Sequence, residues 1–226
     1  MRLAIVIPTL NEEPSLRRTL LLAMAAADEV VVSDGGSRDR TVEIARSLGA
    51  RVVTGPPGRG GQLNRGAAAT DADILLFLHA DTILPEEAGR AVREAVAGGG
   101  AGGAFLIRFD RDGLLYRLGG RVVNLRTRRA FLPLGDQAQF ATREAFRELD
   151  GFREWPILED LDFAMRLRRR YDRSRLAVVP DPVVTSARRF ARQGPVRTVL
   201  TNWLIWLLFL LGISPHRLAR LYKNIR

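Results

Sequence analysis

Four short apolar runs, each followed by a polar stretch and then a segment with helical spacing, fill the first hundred residues and dictate what this chain can become. Residues 3–7, 29–33, 51–54 and 74–78 are read as strands. The first is an unbroken apolar run, the pattern of a strand buried on both faces. Between the strands, a helix is expected from an Asn11 cap to about residue 27, with Glu12 and Glu13 in its first turn. Further helices are expected over 38–48 with Gly49 closing it, over 62–69, and from Pro85 to residue 97 before three glycines. Strands alternating with helices imply a parallel sheet covered on both faces. Ligands of such sheets bind beyond the carboxyl ends of the strands. Four polar segments therefore converge on one edge: 8–12, 34–37, the loop 55–61, and 79–81.

The second half is less regular. Strands are expected at 104–109 and 177–179, and helices at 114–127, 143–149, 159–171 and 195–211, with a basic helix starting at Pro215. No internal repeat or linker divides the chain.

Composition narrows the function classes. A chain of 226 residues that is 46% hydrophobic and 27% charged has a globular make-up, not that of a disordered or low-complexity protein. It has no cysteine, so any metal must be held by oxygen or imidazole. The net charge of +10 is unevenly spread, with −2 over residues 1–110 and +12 over 111–226. A cationic second half points to an anionic partner, phosphate or membrane lipid. Nucleic acid is not expected, because no aromatic-interleaved basic module is present and the excess is missing from the ligand-edge half.

The apolar run 199–213 has 15 residues and includes Thr201 and Asn202, short of the roughly 20 that a spanning helix needs. It reads as a helix packed on the protein's own core, on a second subunit of a homo-oligomer, or at a membrane surface. Trp203 and Trp206, flanked by Arg192, Arg197, Arg217, Arg220, Lys223 and Arg226, suit the last of these. With no secretory leader before the first strand, a cytoplasmic location is expected, peripheral at the inner face of the plasma membrane.

Three clusters can carry chemistry. Asp34-Gly35-Gly36-Ser37, with Asp39 and Thr41, ends a strand and opens a helix; alone it reads equally as a ligand-facing turn or a plain strand–helix turn. His79-Ala80-Asp81 follows four apolar residues, where a carboxylate suits Mg2+ or Mn2+ shared with a diphosphate. Glu159-Asp160, with Asp162, gathers carboxylates at a helix start, a pattern that serves either a general base or the helix dipole. Arg188 and Arg189 could clamp phosphate oxygens, or be surface charge. Neither a G-x-G-x-x-G fingerprint after the first strand nor a G-x-x-x-x-G-K-[ST] loop is present.

Taken in order, Ile7-Pro8-Thr9-Leu10-Asn11-Glu12, the Asp34 cluster, Arg59-Gly60-x-Gln62-x-Asn64-x-Gly66, His79-Ala80-Asp81-Thr82 and Glu159-Asp160 resemble a family-2 glycosyltransferase of the GT-A fold. The resemblance covers roughly residues 1–190 and implies an α/β, Rossmann-like, mostly parallel sheet flanked by helices, with C-terminal apolar and basic helices. It implies a GT-A domain over 1–194, with a nucleotide-sugar half (1–110) and an acceptor half (111–194), followed by an appendage over 195–226. By position, Pro8, Thr9 and Glu12 would line base and ribose, Asp34 and Gly35 the uracil-type base, and Arg59 the nucleotide. Asp81, flanked by Ala80, matches the last carboxylate of the D-x-D motif that holds Mn2+ or Mg2+; His79 stands at that motif's first position. Asp160 matches the general base of inverting members, with Glu159 beside it, while Arg188 and Arg189 would neutralise the leaving diphosphate. The implied reaction moves a sugar from a UDP-sugar donor to a lipid-linked or small-molecule acceptor, which the turn at Gly135-Asp136-Gln137 would approach. A nucleotidyltransferase of related fold, a non-catalytic sugar-nucleotide-binding scaffold and a basic nucleic-acid-binding protein are the competing readings.

Overall fold

The computed structural model describes residues 1–187 and 194–222. Within them, eight strands form one sheet: β1 (Leu3–Thr9), β2 (Glu29–Asp34), β3 (Arg51–Thr54), β4 (Ile74–Phe77), β5 (Thr82–Ile83), β6 (Gly102–Phe109), β7 (Phe140–Thr142) and β8 (Leu176–Thr185). Their order is β3-β2-β1-β4-β7-β6-β8-β5. The first four pair in parallel, as the alternation predicts. Their carboxyl ends consequently share one edge.

Beyond β4 the sheet departs from the sequence reading. β7 runs antiparallel to both β4 and β6, and so joins the two halves of the chain into one sheet. Three residues are too few for a period to register, and only the pairing reveals this strand. β5, two residues antiparallel to β8, escaped notice for the same reason. β8 runs ten residues instead of the expected three. Pro180 and Pro182 masked it, and the parallel ladder with β6 absorbs them through a register shift between Phe105 and Ile107.

Alternate residues of β1 serve opposite layers, as the two-residue period of a strand requires. Leu3, Ile5 and Ile7 join a core with Leu16 and Leu20 of α1 (Glu13–Ala26), Ala45 of α2 (Thr41–Ser47) and Val92 of α4 (Ala88–Ala97). Ala4 and Val6 join a second core with Leu63 of α3 (Arg59–Ala68), Ala145 of α6 (Arg143–Glu148) and Phe163 of α7 (Glu159–Arg170). Phe152 and Phe163 stack at 4.5 Å in that second core, and Phe77 meets Phe152 edge-on at 4.8 Å. Asn11 does not cap α1. Its backbone is left-handed (φ 54°), Glu12 occupies the cap position, and the Asn11 side chain instead accepts the Arg38 N–H at 2.8 Å.

Three helices complete the described chain: α5 (Leu114–Ala130), α8 (Pro195–Leu210) and α9 (Pro215–Leu221). The ring of Phe209 on α8 meets Trp155 at 6.0 Å, and Arg126 of α5 lies 4.9 Å above the Trp206 ring. No described helix is long and apolar enough to cross a membrane.

Close approach of α3 to β1 depends on Gly66, because a Cβ there would run into the Val6 side chain. Gly66→Ala is expected to lift α3 from the sheet and cost about 1–3 kcal/mol in urea unfolding, the usual cost of overpacking. An unchanged midpoint would show that α3 is not held this tightly.

Candidate functional site

The loops after β1 and β2 are tied into a single surface. Thr9 donates its hydroxyl to Asp34 at 3.0 Å, and the Ser37 hydroxyl does so at 2.5 Å. The Gly36 and Ser37 backbone N–H groups donate to the other Asp34 oxygen, both at 2.8 Å. Burial pushes the Asp34 carboxyl up, but these donors outweigh it and hold the group below the usual aspartate range. Four donors meet about four lone-pair sites, so Asp34 shapes the loop first. Across the same seam, the N–H groups of Asn11, Glu12 and Glu13 donate to Ser37, Thr41 and Asp39 at 2.8, 2.8 and 3.2 Å. Pro8 is partly exposed, Thr9 is buried, and Glu12 accepts the Ser15 hydroxyl at 3.1 Å. Gly35 lies under Gln62 and Pro57, each 3.1 Å from where its Cβ would be.

Helix α3 explains why its motif residues occur together. Gln62, buried, donates to the Thr9 and Ser33 carbonyls at 2.8 Å and accepts the Gly58 N–H at 3.1 Å, so it staples β1, β2 and the loop before its own helix. Asn64 clamps Phe152 by both its N–H and its carbonyl, each at 2.8 Å. That clamp fixes the segment leading into α7. Arg59, about one-third exposed, pairs at 3.2 Å with Glu159, which is only 1% exposed. Burial alone would lower the Arg59 pKa, yet Glu159, Asp160 and Asp81 raise it. Glu159 is pushed up, by burial first and by Asp160, with Arg59 opposing.

Asp160 is held differently. One carboxylate oxygen accepts the Gly135 N–H at 2.6 Å and the other the Leu161 N–H at 2.7 Å, leaving each oxygen with capacity for a further donor. Gly135 sits between catalytic candidates, since a Cβ there would fall 2.6 Å from His79 Nε2 and 3.0 Å from Asp160 Oδ2. Arg59, His79, Gly135, Gln139 and Asp160, with the apolar Leu63, Phe77 and Phe152, line one recess no larger than a water molecule. The buried Gln139 donates to the Pro133 and Asp160 carbonyls at 3.0 and 3.2 Å, while its Oε1 has no partner among the described residues. The turn at residues 135–137 is itself anchored by Gln137, which accepts from Arg126 at 2.9 Å and donates to the Phe105 carbonyl at 2.9 Å. Ala80 is buried, its carbonyl accepting the Thr19 hydroxyl at 2.8 Å, which fixes the chain beside partly exposed Asp81.

Among the described residues, no three His, Asp or Glu side chains gather to hold a metal ion alone. His79 and Asp81 offer an imidazole and a carboxylate at a strand end. That donor set fits a hard divalent cation that keeps one or two protein ligands and takes the rest from phosphate oxygens and water. Arg188 and Arg189 lie outside the described residues. The sequence reading missed the roles of Gln62, Asn64, Gln137 and Gln139. Only their place inside or next to the named motifs could have signalled them, because an isolated amide has no period.

Comparison with known proteins identifies the family and the fold. The model of the family described as glycosyl transferase family 2 matches residues 4–171. Glucosyl-3-phosphoglycerate synthase of Mycobacterium tuberculosis is 36% identical over 96 residues, which cover 37% of this chain and 30% of the synthase. The 4,4'-diaponeurosporenoate glycosyltransferase of Staphylococcus haemolyticus is 36% identical over 95 residues, 38% of this chain and 25% of that protein. The matched segment thus spans less than a third of either curated relative. A crystal structure of the M. tuberculosis synthase with Mn2+, UDP and glucosyl-3-phosphoglycerate superposes with a TM-score of 0.63 at 26% identity, covering 90% of this chain and 78% of that one. The fold is that of the GT-A transferases, in line with the sequence expectation.

The buried pair supplies a test. A carboxyl raised by burial contributes stability fully below the ordinary glutamate value of 4.5, and the contribution is lost as pH rises through the raised value. Arg59→Ala removes the opposing charge and enlarges that loss. The variant should be weaker by about 2 kcal/mol near neutrality, short of the ~3–5 for a fully buried pair because Arg59 is partly solvated. Its deficit should grow as pH rises above the ordinary glutamate value and shrink when Glu159→Gln is added. A pH-independent deficit in urea melts would rule out this coupling.

Proposed function

The chain belongs to glycosyl transferase family 2, and from that premise we propose that it is an inverting, metal-assisted transferase moving a sugar from a UDP-sugar to an acceptor hydroxyl. The observation that carries the reading is the Asp160 carboxylate, fixed by two backbone N–H groups and lining the same small recess as His79 and Arg59. Asp160 takes the acceptor hydroxyl proton while that oxygen attacks the anomeric carbon from the face opposite the diphosphate. The bond from that carbon to the diphosphate breaks, and its electron pair leaves with UDP. Glu159 acts through Arg59 as a positioning residue, since its own carboxylate is almost wholly enclosed.

On the donor side, Pro8, Thr9 and Glu12 flank the nucleoside, and Asp34 and Gly35 form the loop beneath the base. Asp81 and His79 would hold Mn2+ or Mg2+, whose chemistry is to stabilise the departing diphosphate. The solved relative with Mn2+ and UDP supports this choice of cation and nucleotide. Arg59 adds fixed positive charge beside Asp160 and Asp81. Arg188 and Arg189 are assigned to the leaving diphosphate by position only. The acceptor is a small or lipid-linked molecule; one relative is named for phosphoglycerate and another for diaponeurosporenoate.

Calorimetric titration with UDP, with and without Mn2+, is the primary test. Mn2+-dependent binding should vanish in Asp81→Ala. Asp160→Asn should bind UDP normally yet release it from UDP-glucose, with 3-phosphoglycerate as first trial acceptor, about 10²–10⁴-fold more slowly than the unaltered chain. Near-normal turnover in Asp160→Asn would remove it as the base, and failure of UDP to bind under either condition would remove the donor assignment.

A further inference from the structure

Apolar exposure on this molecule is concentrated. Of fourteen large hydrophobic residues that stand exposed among the described residues, eleven lie on α5, on α9, or on α8 and the residue after it. On α5 they are Leu114, Leu115, Leu118, Val122 and Leu125, all 44–64% exposed. At roughly 100° per residue these five cover about 100° of the helix, a continuous stripe. The opposite side carries the buried Gly120 and Thr127. On α8, Leu200, Leu204 and Leu207, continued by Leu211, recur at spacings of four, three and four, and Leu210 flanks them. The buried face of α8 holds Ile205 and Thr198.

The two helices touch beside their stripes. Arg126, beside the α5 stripe, lies over the ring of Trp206, beside Leu210 on α8. The helices themselves carry one sign of charge, with Asp110 and Asp112 preceding α5. Residues 114–130 include five arginines and no acid, and residues 195–222 include three arginines and no acid. Arg117, Arg121, Arg128, Arg129, Arg197 and Arg217 are exposed.

We propose that α5 and α8 together form a docking face for an anionic lipid bilayer, the leucines entering the acyl boundary and the arginines resting at headgroup phosphates. An amphipathic helix with leucines on one side and arginines along the polar border is built for that interface, and basic residues near an anionic leaflet add electrostatic attraction. A second copy of the chain is a poorer occupant. It would bring one arginine rim against another with no carboxylate on any of these helices to pair with. The face borders the recess, because Arg126 holds Gln137, and the Gly135 N–H of the same turn holds Asp160. This inference goes beyond the transfer reaction and stands or falls separately from it.

The experiment is flotation of the full chain with vesicles of phosphatidylcholine, alone or with about 30% phosphatidylglycerol, a strongly anionic leaflet. Binding to the anionic vesicles should exceed that to neutral ones at least ~10-fold and weaken in high salt. Leu118→Glu with Val122→Glu should lower bound protein about 10-fold, as should Leu204→Glu with Leu207→Glu, with UDP affinity and melting temperature unchanged. These positions are exposed, so the folded chain tolerates them. Equal recovery with both vesicle types, or binding indifferent to both double variants, would overturn the proposal. So would light scattering that finds a dimer converted to monomer by the same substitutions, which would assign the face to a second copy.

Discussion

One ion pair links the two halves of this protein at the place where the chemistry is expected. Arg59 opens α3, in the first half of the chain, and Glu159 opens α7, a hundred residues later. Glu159 is almost fully enclosed, and an enclosed carboxylate without a partner would cost several kcal/mol. The contact therefore couples the burial of α7 to the seating of α3. Neighbouring residues on α3 make the coupling rigid. Gln62 binds the ends of β1 and β2, Asn64 binds the segment before α7, and Gly66 lets the helix lie on Val6. A motif that looks like a loose string of polar residues and glycines is a set of connections from one helix to three other parts of the fold.

That rigidity explains how the site is preorganised. Asp34 uses its lone pairs on its own loop, and Asp160 is oriented by backbone N–H groups from an adjacent turn and from its own helix. Backbone donors cost little side-chain entropy to order, so the carboxylate is presented in one direction before any ligand arrives. Gly135 lets that turn approach both His79 and Asp160, which no residue with a side chain could do without moving them. The α5–α8 face meets the same turn from the outside through Arg126 and Gln137. The recess and the apolar face are thus two sides of one small structural element.

The sequence made much of the first hundred residues legible. Strands β1 to β4 and their convergent loops follow from apolar runs and glycine punctuation, and in β1 and β4 burial on both faces leaves little freedom in composition. The second half was less readable. β7 is too short to carry a period, and β8 was hidden by Pro180 and Pro182, tolerated only because the ladder shifts register there. Asn11 had the composition of a helix cap but was taken by the neighbouring loop, a local preference overridden by a tertiary hydrogen bond. The apolar stripe on α5 is visible in the spacing of its leucines, but spacing cannot say which stripe faces inward. On α5 the inward face is the one with Gly120 and Thr127.

The sequence by itself determined the α/β class, the strand ends that share one edge, and the family to which the chain belongs. Those properties depend on local periodicity and on motif order, both of which are written along the chain. Tertiary structure alone decided that Glu159 is the buried partner of Arg59 while Asp160 faces the recess, although the two are adjacent and chemically alike. The physical reason is that helix geometry turns successive side chains by about 100°, and only the packing of α7 against α3 and the 135–137 turn determines which of the two directions leads inward.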